Sequence, residues 1–210
     1  MGDARVHGGV LVHLAAVAPL LAGCSASPSA QQGLAAREGE TYGAILFHAG
    51  ERELRDEVWE PVERQTALGF TIAAASFEEG LGMQFQYFEG RGDADEDEPG
   101  SGVGSSTSRH HEVGFGLWLP IETHTPLMPY VGFGALRMWA RFESAPPGIV
   151  AHSDDVSNGG FANAGLLFRI GAHLVLGVEA RVVFGTRLEI QGERVDADYG
   201  QVSAVLGWAF

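Results

Sequence analysis

Two groups of side chains in this sequence are of types that bind metal ions. His110 and Glu112 are two positions apart, so in an extended strand they share one face. The second group is a run of five acidic residues between Asp93 and Glu98. A structural or catalytic zinc site needs at least three protein ligands, and the acidic run lacks the glycine and terminal glutamate of an EF-hand loop. We therefore predict no metal site, a hydrogen-bonded histidine and a solvated acidic loop.

Six charged residues of both signs lie on the more polar face of segments with alternating sequence. They are Glu112, Arg137, Arg141, Arg169, Glu179 and Arg181. Enclosed charges must be paired and hydrogen-bonded, because desolvation otherwise costs several kcal/mol per ion. The set could form an ion pathway, a catalytic carboxylate or a structural network. A narrow barrel filled by side chains favours the structural network. If Trp118 faces Val131, Glu112 stands directly opposite Arg137, and we predict that these two pair.

The elements that must position these charges are predicted to be β-strands. From Tyr42 onward apolar residues alternate with polar or small ones, most clearly over 174–184. There, one apolar face is formed by Leu174, Leu176, Val178, Ala180, Val182 and Phe184. About eight such segments, each of roughly 10 residues, follow one another. The pattern predicts an all-β fold, an antiparallel up-and-down transmembrane β-barrel of about eight strands.

The connections between these segments alternate in length. The longer, polar ones are 50–63, 90–108, 143–158 and 187–198, and the shorter ones are 74–79, 120–127 and 171–172. Short turns alternating with long external loops are typical of outer-membrane barrels. A soluble up-and-down barrel is the nearest alternative, and it would turn its apolar face inward. Two features favour the membrane form: the polar face carries charges that can pair, and the chain ends on the aromatic Phe210.

Composition excludes several classes of protein. Hydrophobic residues make up 45% of the 210 residues, yet mean hydropathy is only +0.03, well below that of a polytopic helical membrane protein. The net charge is −14, and all 13 basic residues are arginines. Binding of nucleic acid requires a clustered basic surface, so we predict that nucleic acid is not a partner.

The first forty residues have the composition of an export signal and a tether. Arg5 precedes an uncharged stretch over 8–21, which is too short for a spanning helix, and residues 21–24 read Leu-Ala-Gly-Cys. This ending resembles the lipobox of bacterial lipoproteins, in which the cysteine is acylated. We predict a signal peptide over 1–23, lipidation at Cys24, a flexible tether over 24–40 and the barrel over 41–210. The alternative is an ordinary signal that is cleaved near Ala26 or Ala30.

Three segments together resemble the small OmpA-type and OmpW-type outer-membrane barrels. They are residues 129–134, residues 176–181, and the terminal Leu206, Trp208 and Phe210, which resemble the C-terminal signal read by the barrel-assembly machinery. The resemblance implies a place in the outer membrane of a Gram-negative bacterium. It also implies that lipid, lipopolysaccharide and the assembly machinery are partners, and it points to no cofactor. The sequence identifies no soluble partner.

Some barrels of this kind are lipid A deacylases with a His-x-Ser-Asn-Ala pattern. Here the matching positions read Gly160-Phe161-Ala162-Asn163-Ala164, without the histidine or the serine, so acyl transfer has no nucleophile or base. We therefore expect a non-enzymatic envelope protein with an ion-paired interior. The alternative is a binder or carrier of a small hydrophobic molecule, for which Phe88, Trp118, Phe133 and Trp139 would have to line the lumen.

Overall fold

The computed structural model describes residues 41–56, 59, 62–76, 80–94, 106–121, 123, 125–144, 151–190 and 193–210. The predicted signal peptide over 1–23, Cys24, the tether over 24–40 and residues 95–98 of the acidic run lie outside these residues. The described part of the chain forms ten strands. They are β1 (Thr41–Leu54), β2 (Arg64–Ser76), β3 (Leu81–Ala94), β4 (Ser106–Pro120), β5 (Leu127–Ser144), β6 (Ala151–Ile170), β7 (Leu174–Phe184), β8 (Arg187–Ile190), β9 (Glu193–Asp196) and β10 (Tyr199–Ala209).

Eight of these strands close into an antiparallel barrel in the order β1-β10-β7-β6-β5-β4-β3-β2, which confirms the predicted fold class. Each barrel strand pairs with the next barrel strand along the chain, and β10 closes the ring against β1. The backbones of Gly43 and Phe210 exchange two hydrogen bonds of 2.8 and 2.9 Å at this closure. The remaining two strands, β8 and β9, form a separate hairpin between β7 and β10. No helix among the described residues is long and apolar enough to cross a membrane.

Successive residues of each barrel strand point alternately outward and into the lumen. On β4, Phe115 is 58% exposed on the outside, whereas Glu112 is 1% exposed on the inside. The outward residues form what we call the apolar belt, which surrounds the barrel. Its members include Phe47, Leu68, Ile72, Met83, Phe85, Phe115, Leu117, Val131, Phe133, Leu166, Phe168, Leu176, Val178, Val182, Phe184, Val202, Leu206 and Trp208. The barrel is therefore apolar outside and charged inside, as predicted from the charges of both signs on the polar face and from the aromatic Phe210.

The strands are longer than predicted, and they extend beyond the apolar belt at one end. β5 has 18 residues and β6 has 20, whereas about 9–11 residues suffice to cross a bilayer. Of the predicted loop 143–158, only residues 145–150 lie between strands. Of the predicted loop 90–108, only residues 95–105 do. The predicted loop 187–198 contains the β8–β9 hairpin. We call the end at which the strands extend beyond the belt the loop end of the barrel. The opposite end, which holds Phe210 and the shorter connections, is the terminal end.

The structure contradicts the predicted orientation of Arg137 and Arg141. Both residues lie on the outer surface of β5, and Glu112 stands opposite Met138 rather than Arg137. The register is shifted by one residue from the predicted one, and in a strand a one-residue shift exchanges the two faces. The physical reason is that the loop-end half of β5 lies beyond the belt. There the apolar residues, including Met138, turn inward and the arginines turn out.

Candidate functional site

The charged interior lies between two apolar clusters. At the terminal end, Tyr42 and Trp118 stack with ring centroids 5.6 Å apart, and Tyr130 packs against Trp118. At the loop end, Trp59 is 1% exposed, donates from Nε1 to the carbonyl of Asp196 over 2.9 Å, and belongs to the second cluster. Aromatic side chains therefore fill both ends of the described lumen, and the polar residues lie between them.

Glu112 is the centre of one ion cluster. Arg181 donates from Nη1 to Glu112 Oε1 over 3.0 Å, and Arg52 Nη2 lies 3.4 Å from the same oxygen. The hydroxyl of Tyr199 also donates to Glu112. These four residues come from β1, β4, β7 and β10, so closure of the ring is what brings them together. All four are 0–2% exposed, and one carboxylate thus serves two buried cations.

Aromatic rings complete the surroundings of the two buried guanidiniums. Arg52 lies over the ring of Tyr199 at 4.5 Å, and Arg181 lies over Phe88 at 4.5 Å and Phe161 at 5.1 Å. A guanidinium over an aromatic face is attracted by the ring quadrupole, more strongly when it is desolvated. The rings therefore offset part of the cost of holding two arginines beside one glutamate.

Glu179 is the centre of a second, more hydrogen-bonded cluster. Tyr130 and Asn163 each donate to Glu179 Oε2 over 2.7 Å, and His48 Nδ1 lies 3.5 Å from Oε1. Gln84 extends the network by donating to Asn163 Oδ1 over 3.2 Å. Gly132 makes this meeting possible, since a Cβ there would lie 2.1 Å from Gln84 Nε2 and 2.5 Å from Asn163 Oδ1.

Thr71, His48 and Glu179 contact one another in the order of a catalytic triad, namely nucleophile, base and acid. Thr71 Oγ1 and His48 Nε2 lie 3.0 Å apart, within hydrogen-bonding distance. A catalytic triad must also present its nucleophile to a substrate. Here all three residues are at most 3% exposed, and they lie between the two aromatic clusters. The arrangement therefore suits a buried structural network rather than acyl transfer.

The two residues considered as metal ligands are engaged elsewhere. His110 Nδ1 lies 3.0 Å from Gln65 Oε1 and its ring packs edge-on against Trp59, while Glu112 binds the arginines. His111 points outward, with Nδ1 3.1 Å from the hydroxyl of Tyr87. Among the described residues, no three histidine, cysteine or acidic side chains are placed to hold a metal ion.

The structure brings together three of the six predicted interior charges: Glu112, Glu179 and Arg181. Between β6 and β7, Arg181 stands opposite Asn163 and Glu179 opposite Gly165. Arg169 is half-buried at the terminal end, with its guanidinium 5.3 Å from the ring of Tyr42 and apart from both ion clusters.

Sequence reasoning missed most of the uncharged members of the site and also Arg52; the most important omissions are Arg52, His48, Tyr130 and Tyr199. His48 and Arg52 lie on β1, whose sequence carries apolar residues on both faces, so its parity could not be assigned. Tyr130 was visible in the segment 129–134 but had no assigned role. A usable signal existed: carrying the alternation of Tyr130, Gly132 and Gly134 along β5 would have placed Met138 inside and Arg137 outside.

Alternate residues at the end of β10, and Phe210 directly after it, lie on the outer face of the barrel. Leu206, Trp208 and Phe210 are 51%, 53% and 65% exposed, and form one row. Trp208 stacks on His173 from the neighbouring connection, with ring centroids 4.9 Å apart.

Comparison with known proteins gives a fold but no sequence relative. No protein-family model matches the chain, and no well-characterised protein matches it by sequence. Similar solved structures include Ail, the attachment invasion locus protein of Yersinia pestis, at 16% identity and a TM-score of 0.53, covering 83% of this chain and 100% of Ail. OprG from Pseudomonas aeruginosa has 15% identity and a TM-score of 0.55, covering 83% and 99%.

A major outer membrane protein of Thermus thermophilus gives a third match, at 11% identity and a TM-score of 0.52, covering 81% of this chain and 100% of that one. Identities this low carry no residue roles across, but the near-complete coverage of each neighbour extends the likeness to the whole barrel. The chain therefore has the fold of the small outer-membrane β-barrels, closed by eight antiparallel strands.

Proposed function

We propose that this chain is a non-enzymatic β-barrel of the bacterial outer membrane that strengthens the envelope and presents its loop end to partners. The observation that carries the proposal is the inverted distribution of polarity. Phe115 and its equivalents around the ring are exposed, while Glu112, Glu179 and Arg181 are enclosed. A protein surrounded by water would lose hydrophobic free energy in this arrangement, whereas one surrounded by lipid gains it.

The filled interior supports a structural role over a transport role. Two ion clusters occupy the middle of the lumen and aromatic clusters occupy its ends. The alternative role, binding a small apolar molecule, needs an apolar lumen. Of its predicted lining, Phe133 and Trp139 point outward, Phe88 is covered by Arg181, and Trp118 is stacked on Tyr42. No observation favours that alternative, so we retain the structural role.

The partners of such a barrel are lipid, lipopolysaccharide and the barrel-assembly machinery. Support for lipid is the apolar belt, and support for the assembly machinery is the outward terminal row of Leu206, Trp208 and Phe210. Acylation at Cys24 would add a second attachment to the membrane, through the tether over 24–40.

A single charge in the belt tests the proposal. Phe115→Arg should abolish heat-modifiable gel mobility and recovery in the outer-membrane fraction, because arginine in mid-membrane costs about 2–4 kcal/mol. Thr66→Arg is the matched control: Thr66 also points outward, but from the level of Arg91, beyond the belt. It should behave as wild type. A wild-type protein found in the soluble fraction, or a more soluble and still folded Phe115→Arg variant, would refute the proposal.

A further inference from the structure

Three arginines of adjacent strands stand directly opposite one another on the outer surface, beyond the apolar belt at the loop end. The register pairs Arg91 of β3 with Arg109 of β4, and Arg109 with Arg141 of β5. All three are exposed. We call these three residues the arginine row. Neighbouring strands are about 4.8 Å apart, so the row spans roughly 10 Å.

Like charges placed directly opposite each other destabilise a sheet, so the row needs anions. The fold supplies some of them. Arg91 Nε donates to Asp93 over 2.8 Å, and Arg141 Nε donates to Asp154 over 2.8 Å. The hydrogen bond and the negative charge of Asp154 raise the pKa of Arg141, so this guanidinium stays charged.

These acids leave most of the donors of the row unused. Each guanidinium has five N–H donors, and both ion pairs are about half exposed, where such pairs contribute little. Arg109, the central member, stands opposite an arginine on both neighbouring strands. A multivalent anion bound from outside would satisfy all three side chains at once.

The level just below the row has the composition of a membrane interface. His111 lies two residues from Arg109 on the same outward face, and Trp139 lies two residues from Arg141; the two stand opposite each other. His111 is within hydrogen-bonding distance of the hydroxyl of Tyr87. Arg137, one outward position nearer the belt, places its guanidinium 5.6 Å from the ring of Trp139. Tyrosine and tryptophan concentrate where apolar chains meet polar headgroups. The one acid at this level on β3 is Glu89.

We propose that the arginine row binds the phosphate groups of lipid headgroups in the outer leaflet of the membrane. The inference rests on the proposed outer-membrane location and names a site for the lipid partner. Guanidinium and phosphate form bidentate, charge-assisted hydrogen bonds, and phosphates held at the level of Arg109 leave the acyl chains beside the belt below. A soluble sulfated polysaccharide would offer similar anions. It would not account for the aromatic level between row and belt.

The test measures retention of a defined lipid by the purified full-length barrel. The wild type is reconstituted in phosphatidylcholine nanodiscs with lipid A or with dephosphorylated lipid A, and retained lipid is quantified by native mass spectrometry. The variant is the triple change Arg91→Gln, Arg109→Gln and Arg141→Gln. The control is Arg187→Gln with Arg194→Gln, two arginines of the β8–β9 hairpin. Heat-modifiable mobility reports folding in each case.

The wild type and the hairpin control should retain lipid A at least about tenfold better than its dephosphorylated form, since one arginine near an anionic surface contributes about a fivefold factor. The triple variant should fold and lose this preference. Equal retention by the triple variant and the wild type would overturn the inference. So would an equal loss in the hairpin control, or row-dependent binding of inorganic phosphate or sucrose octasulfate without lipid A preference. Failure of the wild type to insert would instead contradict the proposed function.

Discussion

Replacing Glu112 by glutamine removes the carboxylate that Arg52 and Arg181 both contact. The three side chains are at most 1% exposed, so water cannot compensate. Removing one partner of a buried ion pair costs about 3–5 kcal/mol. The aromatic rings over Arg52 and Arg181 remain in the variant, so we expect a loss near the lower limit, at about 3 kcal/mol.

Urea unfolding in phospholipid vesicles, followed by tryptophan fluorescence and by gel mobility without heating, measures this loss. With a slope of about 2 kcal/mol per M, the midpoint should fall by about 1.5 M. Glu89→Gln is the matched control, because Glu89 is an exposed outward residue of β3 and its loss should change stability by less than about 0.5 kcal/mol. Adding Arg181→Met to Glu112→Gln should recover part of the midpoint, since one buried cation is then gone.

Two results would refute this reasoning. Equal midpoints for Glu112→Gln and Glu89→Gln would show that the enclosed charges do not depend on each other. The second is a urea midpoint of Glu112→Gln that rises when Arg137→Met is added and not when Arg181→Met is added. This would support the Glu112–Arg137 pair expected from sequence and contradict the orientation of β5.

Three further predictions concern packing, processing and assembly. Gly134→Ala should destabilise the barrel by about 1–3 kcal/mol in the same urea assay, because its Cβ would lie 2.3 Å from the carbonyl oxygen of the facing strand; Gly200→Ala, with no atom within 4 Å, should be neutral. Mass spectrometry of the mature protein should find a diacylglyceryl adduct on Cys24, and an unmodified N-terminus further along the chain would contradict acylation. Phe210→Ala keeps the backbone bonds to β1 yet should lower the heat-modifiable fraction; an unchanged fraction would deny the ring a role in assembly.

The alternation of the sequence predicted the barrel, and together with the charges of the polar face and Phe210 it predicted most of the inside–outside assignment. It succeeded on β4, where Glu112 and Phe115 take the predicted faces, because these positions lie within the belt and a single rule applies. It failed on the loop-end half of β5, where the same rule was applied beyond the belt. Apolar character alone cannot distinguish a residue that faces outward from one that faces a core. The prediction therefore placed Met138 outside and Arg137 inside, the reverse of the structure.

The composition of the ion clusters could not be predicted, for a different reason. Glu112 meets Arg52 and Tyr199 only because β10 closes on β1, so the contacts depend on ring closure rather than on neighbouring strands. Register between consecutive strands is largely set by the turn that joins them, as between Asn163 of β6 and Arg181 of β7. Contacts across the lumen require the stagger of the whole ring, which no single turn specifies.

In the proposed outer-membrane location, the boundary between apolar and polar outward residues on β3, β4 and β5 would also determine how deeply the barrel sits in a bilayer. On β5 the outward row passes from Ala135 to Arg137, and on β3 from Tyr87 to Glu89, within one step of two residues. Such a step is about 6.6 Å along a strand, so sinking by one step would bring Arg137 and Glu89 into hydrocarbon together. Charges near the interface cost less than about 1 kcal/mol each, but the cost rises towards the midplane. The barrel therefore has little freedom to move vertically, and a membrane of different thickness must thin or thicken around it.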